Sequence, residues 1–497
     1  MAAKTGLNSN RKPLGKARPT VRPFFLPPPG TLTSADPEAI MLPRSLRPLV
    51  LALSLAAAAP ATVLANPYET TLKNGLRVIV KEDRRAPTAV QMVWYRIGSM
   101  DEVDGQSGVA HVLEHMMFKG TPSVGPGEFN KRVAAAGGRD NAFTSRDYTA
   151  YFQQVPKEKL PEMMALEADR MRHLNVDAQE FAQEIKVVME ERRMRTDDNP
   201  QAKLFEQMNA AAFQAHPYRR PIIGWMNDLE NMSAADAKAW YETWYMPNNA
   251  YVVITGDVDH QAVFALAEQH YGVLESRPLP PRRPQSEPAQ EGIRRISVKA
   301  PAELPALIMG WKAPVLRDIE RDRDPYALDM LTAVLDGHDA ARFNKKLVRE
   351  DKVALSVDIG YDGTARGPGM LYITGTPSEG RSIADLEAAI RAEIARIQQD
   401  GVSPAELKRA RAQLLAQQIY KKDSMFGQAM EIGQTEAANL PWQGIEKMLE
   451  KLQQVSAEDI QAAARKYFTD DTLTVGVLDP QPLAQAPRRP AQAGRRH

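Results

Sequence analysis

The sequence predicts an α+β fold built from two homologous domains, and three observations point there. Strand-like and helix-like stretches are mixed within each half of the chain, with no block of either kind. A proline- and charge-rich stretch, Arg277-Pro278-Leu279-Pro280-Pro281-Arg282-Arg283-Pro284, has no apolar period and reads as a linker between the halves. Short echoes also recur in the same order on both sides of it. Phe129-Asn130-Lys131-Arg132 is matched by Phe343-Asn344-Lys345-Lys346, and Val176-Asp177-Ala178-Gln179-Glu180-Phe181 by Val402-Ser403-Pro404-Ala405-Glu406-Leu407. Together they indicate an old duplication with about 200 residues per copy.

Residues 1–40 carry no apolar period and read as a disordered stretch, or as the product of a start codon assigned too far upstream. From Met41 the pattern changes. Arg44 and Arg47 precede the apolar run Leu49 to Ala59, and Val63-Leu64-Ala65 follows. A charged region, a short apolar region and a small-residue cleavage site predict a secretory signal peptide over 41–65, hence a periplasmic or secreted protein beginning near Asn66. The run is too short and too rich in alanine for a good membrane span.

The first domain is expected over 66–274, with strands at Leu76–Val80, Val90–Ile97 and Tyr251–Thr255 and helices at Lys159–His173 and Asp177–Arg195. The linker covers 275–292. The second domain covers 293–479, with strands at Ala306–Trp311, Leu371–Gly375 and Leu473–Leu478 and helices at Ile383–Gln399 and Pro404–Tyr420. From Pro480 to residue 497 the composition is that of a disordered tail.

The chain has 63 basic and 62 acidic residues, so its net charge of +1 gives no overall attraction to nucleic acid. It contains no cysteine. Disulfides and thiolate metal sites are excluded, and any metal must sit on histidine or carboxylate, as in a catalytic zinc site.

Ser107-Gly-Val-Ala-His111-Val-Leu-Glu114-His115-Met-Met-Phe118-Lys-Gly120 holds the chemistry. Ser107 is a plausible N-cap and Gly120 a plausible stop. Val109, Val112, Leu113, Met116 and Met117 make the helix a buried one. His111 and His115 lie one turn apart, so two imidazoles can share one ion. Glu114, on the same side, can reach a water on that ion without ligating it. The bland alternative is two hydrogen-bonded core histidines beside a surface glutamate. Against it, two histidines and a glutamate in an apolar helix are costly unless they coordinate or pair. A third ligand must come from elsewhere. The helix from Asp177, with a capping-box-like start at Asp177 and Glu180, offers Glu184 and Glu191 on one face, anchored by Phe181, Ile185 and Val188. Glu190 is read as solvent-facing.

His-x-x-Glu-His is the inverted zincin motif. With Leu72-Lys73-Asn74-Gly75-Leu76 and Pro247-Asn248-Asn249 before Gly256-Asp257, the sequence resembles the pitrilysin/insulinase family, more closely its short branch, mitochondrial processing peptidase and its bacterial relatives. The resemblance covers 66–479. It implies a mostly antiparallel sheet packed against helices in each domain, half of a clamshell. It implies that Glu191, in Val187-Val188-Met189-Glu190-Glu191 and 76 residues after His115 (191 − 115 = 76), is the third zinc ligand. Glu184 then orients a ligand imidazole or balances the charge of the site.

The implied activity is zinc-dependent hydrolysis of peptides or unfolded protein segments, with Glu114 as the base that takes a proton from the attacking water and passes it to the leaving amine. Gly137-Gly138-Arg139-Asp140-Asn141-Ala142-Phe143-Thr144-Ser145 reads as a turn feeding an edge strand. In the family this strand receives the substrate peptide, so Asn141 and Ala142 are expected to touch peptide backbone. An ordinary hairpin strand is equally compatible with the residues. In the second half, Tyr326–Val334 matches the zinc helix without histidine, and Ala410–Gln418 lacks the glutamate. Arg349 stands where the family has a substrate-binding arginine, but Ser356 replaces its tyrosine partner. The family encloses substrate among four such domains, so this two-domain chain is expected to dimerise, with an identical chain or with a zinc-less homologue. The competing class is a non-catalytic scaffold, such as the core subunits of the respiratory bc1 complex. The complete metal set separates the two.

Overall fold

Runs rich in valine, isoleucine and aromatics, bounded by glycine, asparagine and proline turns, form the strands of two sheets. The computed structural model describes residues 67–483. The expected signal peptide at 41–65, the stretch 1–40 and the tail beyond 483 lie outside the described residues.

In the first half the strands are β1 (Tyr68–Thr71), β2 (Arg77–Glu82), β3 (Thr88–Tyr95), β4 (Arg139–Thr144), β5 (Thr149–Pro156) and β6 (Ala250–Gly256). The helices are α1 (Val109–Met116), α2 (Glu128–Ala135), α3 (Leu160–His173), α4 (Ala178–Arg192), α5 (Pro200–Ala212), α6 (Met226–Asn231), α7 (Ala234–Trp244) and α8 (His260–His270). The second half has β7 (Arg294–Pro301), β8 (Ala306–Ala313), β9 (Ala354–Tyr361), β10 (Gly369–Pro377) and β11 (Leu473–Gln481). Its helices are α9 (Asp324–Asp336), α10 (Ile383–Asp400), α11 (Pro404–Asp423), α12 (Met425–Ala437), α13 (Ile445–Gln454) and α14 (Ala457–Tyr467). Serines 382 and 403 open α10 and α11 with capping boxes to Asp385 and Glu406.

The sheets run β1-β2-β6-β3-β5-β4 and β7-β11-β8-β10-β9. They repeat one another strand for strand. β2 is parallel to β6 as β7 is to β11, and every other pairing is antiparallel. β1 is the only strand of the described residues without a counterpart. The fold is therefore α+β with two homologous halves. The echo at Phe129 and Phe343 falls on α2 and on the π-helical segment Phe343–Glu350, and that at Val176 and Val402 falls on the starts of α4 and α11.

Each sheet packs helices of its own half on one face. Val78, Val80, Val93, Val252 and Ile254 meet residues of α1, α3, α4, α7 and α8. Leu307, Met309, Leu371, Ile373 and Val475 meet residues of α9, α10 and α14. The opposite faces are covered by exchange. Ile79, Met92, Trp94, Tyr251 and Val253 of the first sheet pack on Met425, Ala429 and Ile432 of α12, while Val298, Ala300, Ile308 and Met370 of the second pack on Leu204, Met208 and Ala212 of α5. Both faces being dry, β6 is buried at every position.

Two glycines permit the close approach. A Cβ on Gly433 of α12 would stand 2.1 Å from the Trp94 ring, and one on Gly310 of β8 would stand 2.2 Å from the methyl carbon of Met208. Hydrogen bonds pin the exchanged helices. Tyr251 donates to the Gly433 carbonyl (2.7 Å), Thr255 to that of Met425 (2.8 Å), and Tyr372 to the Asn209 amide oxygen (2.7 Å).

Residues 275–292 form no helix or strand. They run as extended chain held to both halves. Glu287 accepts the backbone N–H groups of Gln214, Ala215 and His216, and Gln290 donates to the Leu473 carbonyl. One expectation needs correction. Pro480 does not begin the tail, because β11 continues to Gln481 beside β7. Its pairing with β8 has already stopped at Leu478, so the absent N–H of Pro480 leaves no antiparallel ladder bond unmade.

Candidate metal centre

α1 is built to be held rigidly. The chain enters it through Gly108 at φ +90°, where a Cβ would stand 2.6 Å from the Ile223 carbonyl oxygen. Ser107 is not the N-cap. Its hydroxyl and N–H are both turned to Asp228, and its oxygen accepts from Trp225 N–H. The free amides at the helix start are taken instead by the buried Glu102, whose carboxylate accepts from Gly108 N (2.9 Å) and Ala110 N (3.0 Å). The helix also ends before Gly120, with Met117 as C-cap. On α4, Asp177 caps the N–H groups of Gln179 and Glu180 as a simple N-cap, without the reciprocal bond of a capping box.

α1 and α4 pack together, and their polar residues meet at one point. His111, His115 and Glu191 each offer a ligand atom, and these atoms lie within 4.8 Å of one another. Glu191 Oε2 is 3.3 Å from His115 Nε2 and 3.8 Å from His111 Nε2. His115 Nδ1 is 2.8 Å from Glu184 Oε1, and the other oxygen of Glu184 pairs with the Lys119 ammonium. Glu191 Oε1 pairs with Arg195 Nη2 at 2.6 Å. Arg195 sits on the π-helical turn Arg193–Asp197 that continues α4. Glu114 accepts a hydrogen bond from the Thr144 hydroxyl at the end of β4 (2.5 Å). Glu190 faces solvent with Arg193.

Charge and burial divide the roles. Burial, helped by the neighbouring His115, drops the His111 pKa to about 3, so its imidazole is neutral. Burial also pushes His115 down, but hydrogen bonds to Glu184 and Glu191 overcome it and hold the pKa at about 9. Burial would raise Glu191, yet His115, His111 and Arg195 bring it to about 2. Glu184 likewise stays low through His115 and Lys119, against burial. Glu114 is raised by burial, which the Thr144 hydrogen bond only partly offsets.

The donor set fits a dication of the zinc type. His111 is 8% exposed, its Nδ1 has no partner, and its Nε2 is beyond hydrogen-bonding distance of Glu191. A buried imidazole with neither nitrogen bonded is costly unless a ligand completes it. Two imidazole nitrogens and one carboxylate oxygen are the three protein ligands of a catalytic zinc site, and His115 has the carboxylate behind it that such ligands usually have.

Residues 77–225 match the family model described as Insulinase (Peptidase family M16), and residues 231–414 that of the Peptidase M16 inactive domain. A zinc protease of Helicobacter pylori, PqqE, is 31% identical over 437 residues, which cover 87% of this chain and 97% of that protein. The chain belongs to the insulinase family of peptidases. A crystal structure of a protease from Helicobacter pylori superposes with a TM-score of 0.80 at 30% identity, covering 84% of this chain and all of that one. The periplasmic protease PqqL of Escherichia coli shares the fold, with a TM-score of 0.70 at 20% identity over 84% of this chain and 48% of that one. The inactive-domain match spans α9 and most of α11, which pack on each other as α1 and α4 do but bear no histidine and no glutamate facing one.

Of the residues singled out in the sequence, His111, His115, Glu191, Glu184 and Glu114 are brought together. Asn141 and Ala142 lie on β4, the edge strand of the first sheet, Asn141 exposed and Ala142 buried. Arg349 stands outside the cluster. It is exposed at the end of the π-helical segment Phe343–Glu350 and donates to the Asp339 carbonyl, and Ser356 is exposed on β9, the edge of the second sheet. Sequence reasoning missed Thr144, Lys119, Glu102 and Arg195. Arg195 was readable as the i+4 partner of Glu191. Nothing local marks Glu102, which acts on a turn six to eight residues away.

Proposed function

We propose that this chain is a zinc-dependent endopeptidase that hydrolyses peptides or unfolded protein segments laid along β4. The convergence of His111 Nε2, His115 Nε2 and Glu191 Oε2, with Glu114 beside them, carries the reading. A zinc ion held there supplies Lewis acidity toward the peptide carbonyl and the attacking water. Glu114, raised by burial, takes the proton of the water and delivers it to the leaving amine. Thr144 fixes the Glu114 carboxylate at the end of the edge strand. Glu184 holds the His115 ring so that Nε2 faces Glu191, and Lys119 holds Glu184. β4 has a neighbour on one side only, so its free edge, with Asn141 and Ala142, suits an extended peptide added as a further strand.

On the same reading the second half, with Arg349, serves substrate binding. The working unit is a dimer, with a second copy or a zinc-less homologue, and there is no nucleic-acid partner. Among the described residues no helix is long and apolar enough to cross a membrane. The periplasm, entered through the signal peptide at 41–65, is the proposed location.

Peptide profiling of the purified protein, with and without a chelator, tests the activity. Glu114→Gln should keep one zinc per chain and lose hydrolysis by roughly 10²–10⁴-fold, because the base is gone while the ligands remain. Glu191→Gln should lose most of the zinc. Wild-type cleavage by Glu114→Gln would refute the mechanism.

A further inference from the structure

The two oxygens of Glu191 are in different circumstances. Oε2 points at both imidazoles, 3.3 Å from His115 Nε2 and 3.8 Å from His111 Nε2. Oε1 is taken by the Arg195 guanidinium at 2.6 Å, a charge-assisted contact between residues four apart. The pair is not an ordinary surface ion pair. The Glu191 side chain is 12% exposed, while that of Arg195 is 36% exposed. The other arginines nearby are spoken for. Arg192 binds Glu206 and the Gly224 carbonyl, and Arg193 binds the exposed Glu190. Only Arg195 of the three contacts Glu191 through its side chain, and it does so from a π-helical turn, a form of helix often found at functional sites.

A carboxylate with both oxygens free can chelate. Chelation raises the coordination number and suits larger, oxygen-preferring cations. Zinc with two imidazoles and an open position takes one carboxylate oxygen most comfortably. The Arg195 Nη2 held against Oε1 opposes chelation through that oxygen and favours one rotation of the carboxylate. We propose that Arg195 is a positioning residue that makes Glu191 a one-oxygen ligand and thereby biases the site toward zinc over manganese. This rests on the zinc reading above and adds to it a determinant of metal choice.

The sign of the effect separates positioning from bare electrostatics. A guanidinium near a dication repels it, so loss of Arg195 through charge alone would tighten metal binding. If Arg195 orients Glu191, its loss weakens zinc binding, as loss of outer partners of metal ligands commonly does by 10–100-fold.

The test is dye-competition titration of Zn²⁺ and Mn²⁺ on the metal-free full-length protein, with thermal melts of each metal-free variant. Arg195→Ala and Arg195→Met, the second keeping an apolar stem, should each weaken Zn²⁺ by about tenfold and lower the Zn²⁺/Mn²⁺ preference. Arg195→Lys should recover zinc affinity to within about threefold of the wild type, since an ammonium can still occupy Oε1. Arg193→Ala, which removes a neighbouring cation that does not touch Glu191, should leave both affinities unchanged. A folded Arg195→Ala or Arg195→Met that binds Zn²⁺ as tightly as the wild type, or more tightly, overturns the proposal. A wild-type protein that binds no Zn²⁺ overturns the functional reading beneath it.

Discussion

Thr144→Val isolates the link between the edge strand and the base. Thr144 Oγ1 lies 2.5 Å from Glu114 Oε2 and donates to it. Burial raises the Glu114 pKa and this hydrogen bond pulls it back. A hydrogen bond to a charged group contributes about 1.5–3 kcal/mol. At 1.36 kcal/mol per pKa unit, its loss raises the Glu114 pKa by about 1–2 units. Glu114 acts as a base only when ionised, so the acid limb of the kcat/KM profile should move up by that amount. Activity on the acid limb, below the wild-type midpoint, should fall by about tenfold or more, while activity on the plateau above it stays close to the wild type. Valine matches threonine in shape and suits a strand, so the fold should tolerate it. The assay is the pH dependence of kcat/KM on a fluorogenic peptide, with a melt as control. Superimposable acid limbs would refute the argument. A uniform loss at all pH values would also refute it, showing that Thr144 acts on substrate rather than on Glu114.

Metal affinity should depend on pH through His115. Its imidazole, held at about 9, is protonated at neutral pH and must release that proton to ligate, whereas His111 at about 3 is already neutral. Zinc affinity should therefore rise about tenfold per pH unit between pH 6 and 8 and level off above about 9, and a flat profile by competition titration would contradict the assignment. Gly433→Ala places a methyl 2.1 Å from the Trp94 ring at the contact of α12 with the first sheet, so it should destabilise by about 1–3 kcal/mol in denaturant unfolding; wild-type stability would mean that α12 is not seated as described. Light scattering on the protein alone and as purified from its host should find a dimer, of one chain or of two homologous chains, and a fully active monomer would refute the expectation that substrate is enclosed among four domains.

The candidate metal residues were legible because they obey local rules. His111, Glu114 and His115 share a helix face at spacings of three and four, and Glu184 and Glu191 share another at seven, so helical geometry alone puts each set on one side. The core residues Phe181, Ile185 and Val188 were legible for the same reason. That Glu191 is the oxygen facing the imidazoles came from family resemblance, since spacing left Glu184 equally placed.

The first errors were at helix ends. Ser107 has the chemistry of an N-cap, but Asp228, 121 residues away, claims its hydroxyl, and Glu102 takes the helix amides. Capping is a competition among acceptors, and a sequence window does not contain the winner.

What the sequence by itself determined is the α+β class, the duplication, three strands and the main amphipathic helices of each half, and the face of α1 that carries the candidate ligands. Each follows from periodicity or from repeated short motifs, which a chain carries wherever it lies in space. Only the tertiary structure decided that α5 and α12 are exchanged between the halves, and that Thr144, Lys119 and Arg195 surround Glu114, Glu184 and Glu191. The physical reason is range. The apolar faces of α5 and α12 specify that something must cover them, but burial is non-directional, so the partner is chosen by which sheet leaves an uncovered face and room beside Gly310 or opposite Trp94.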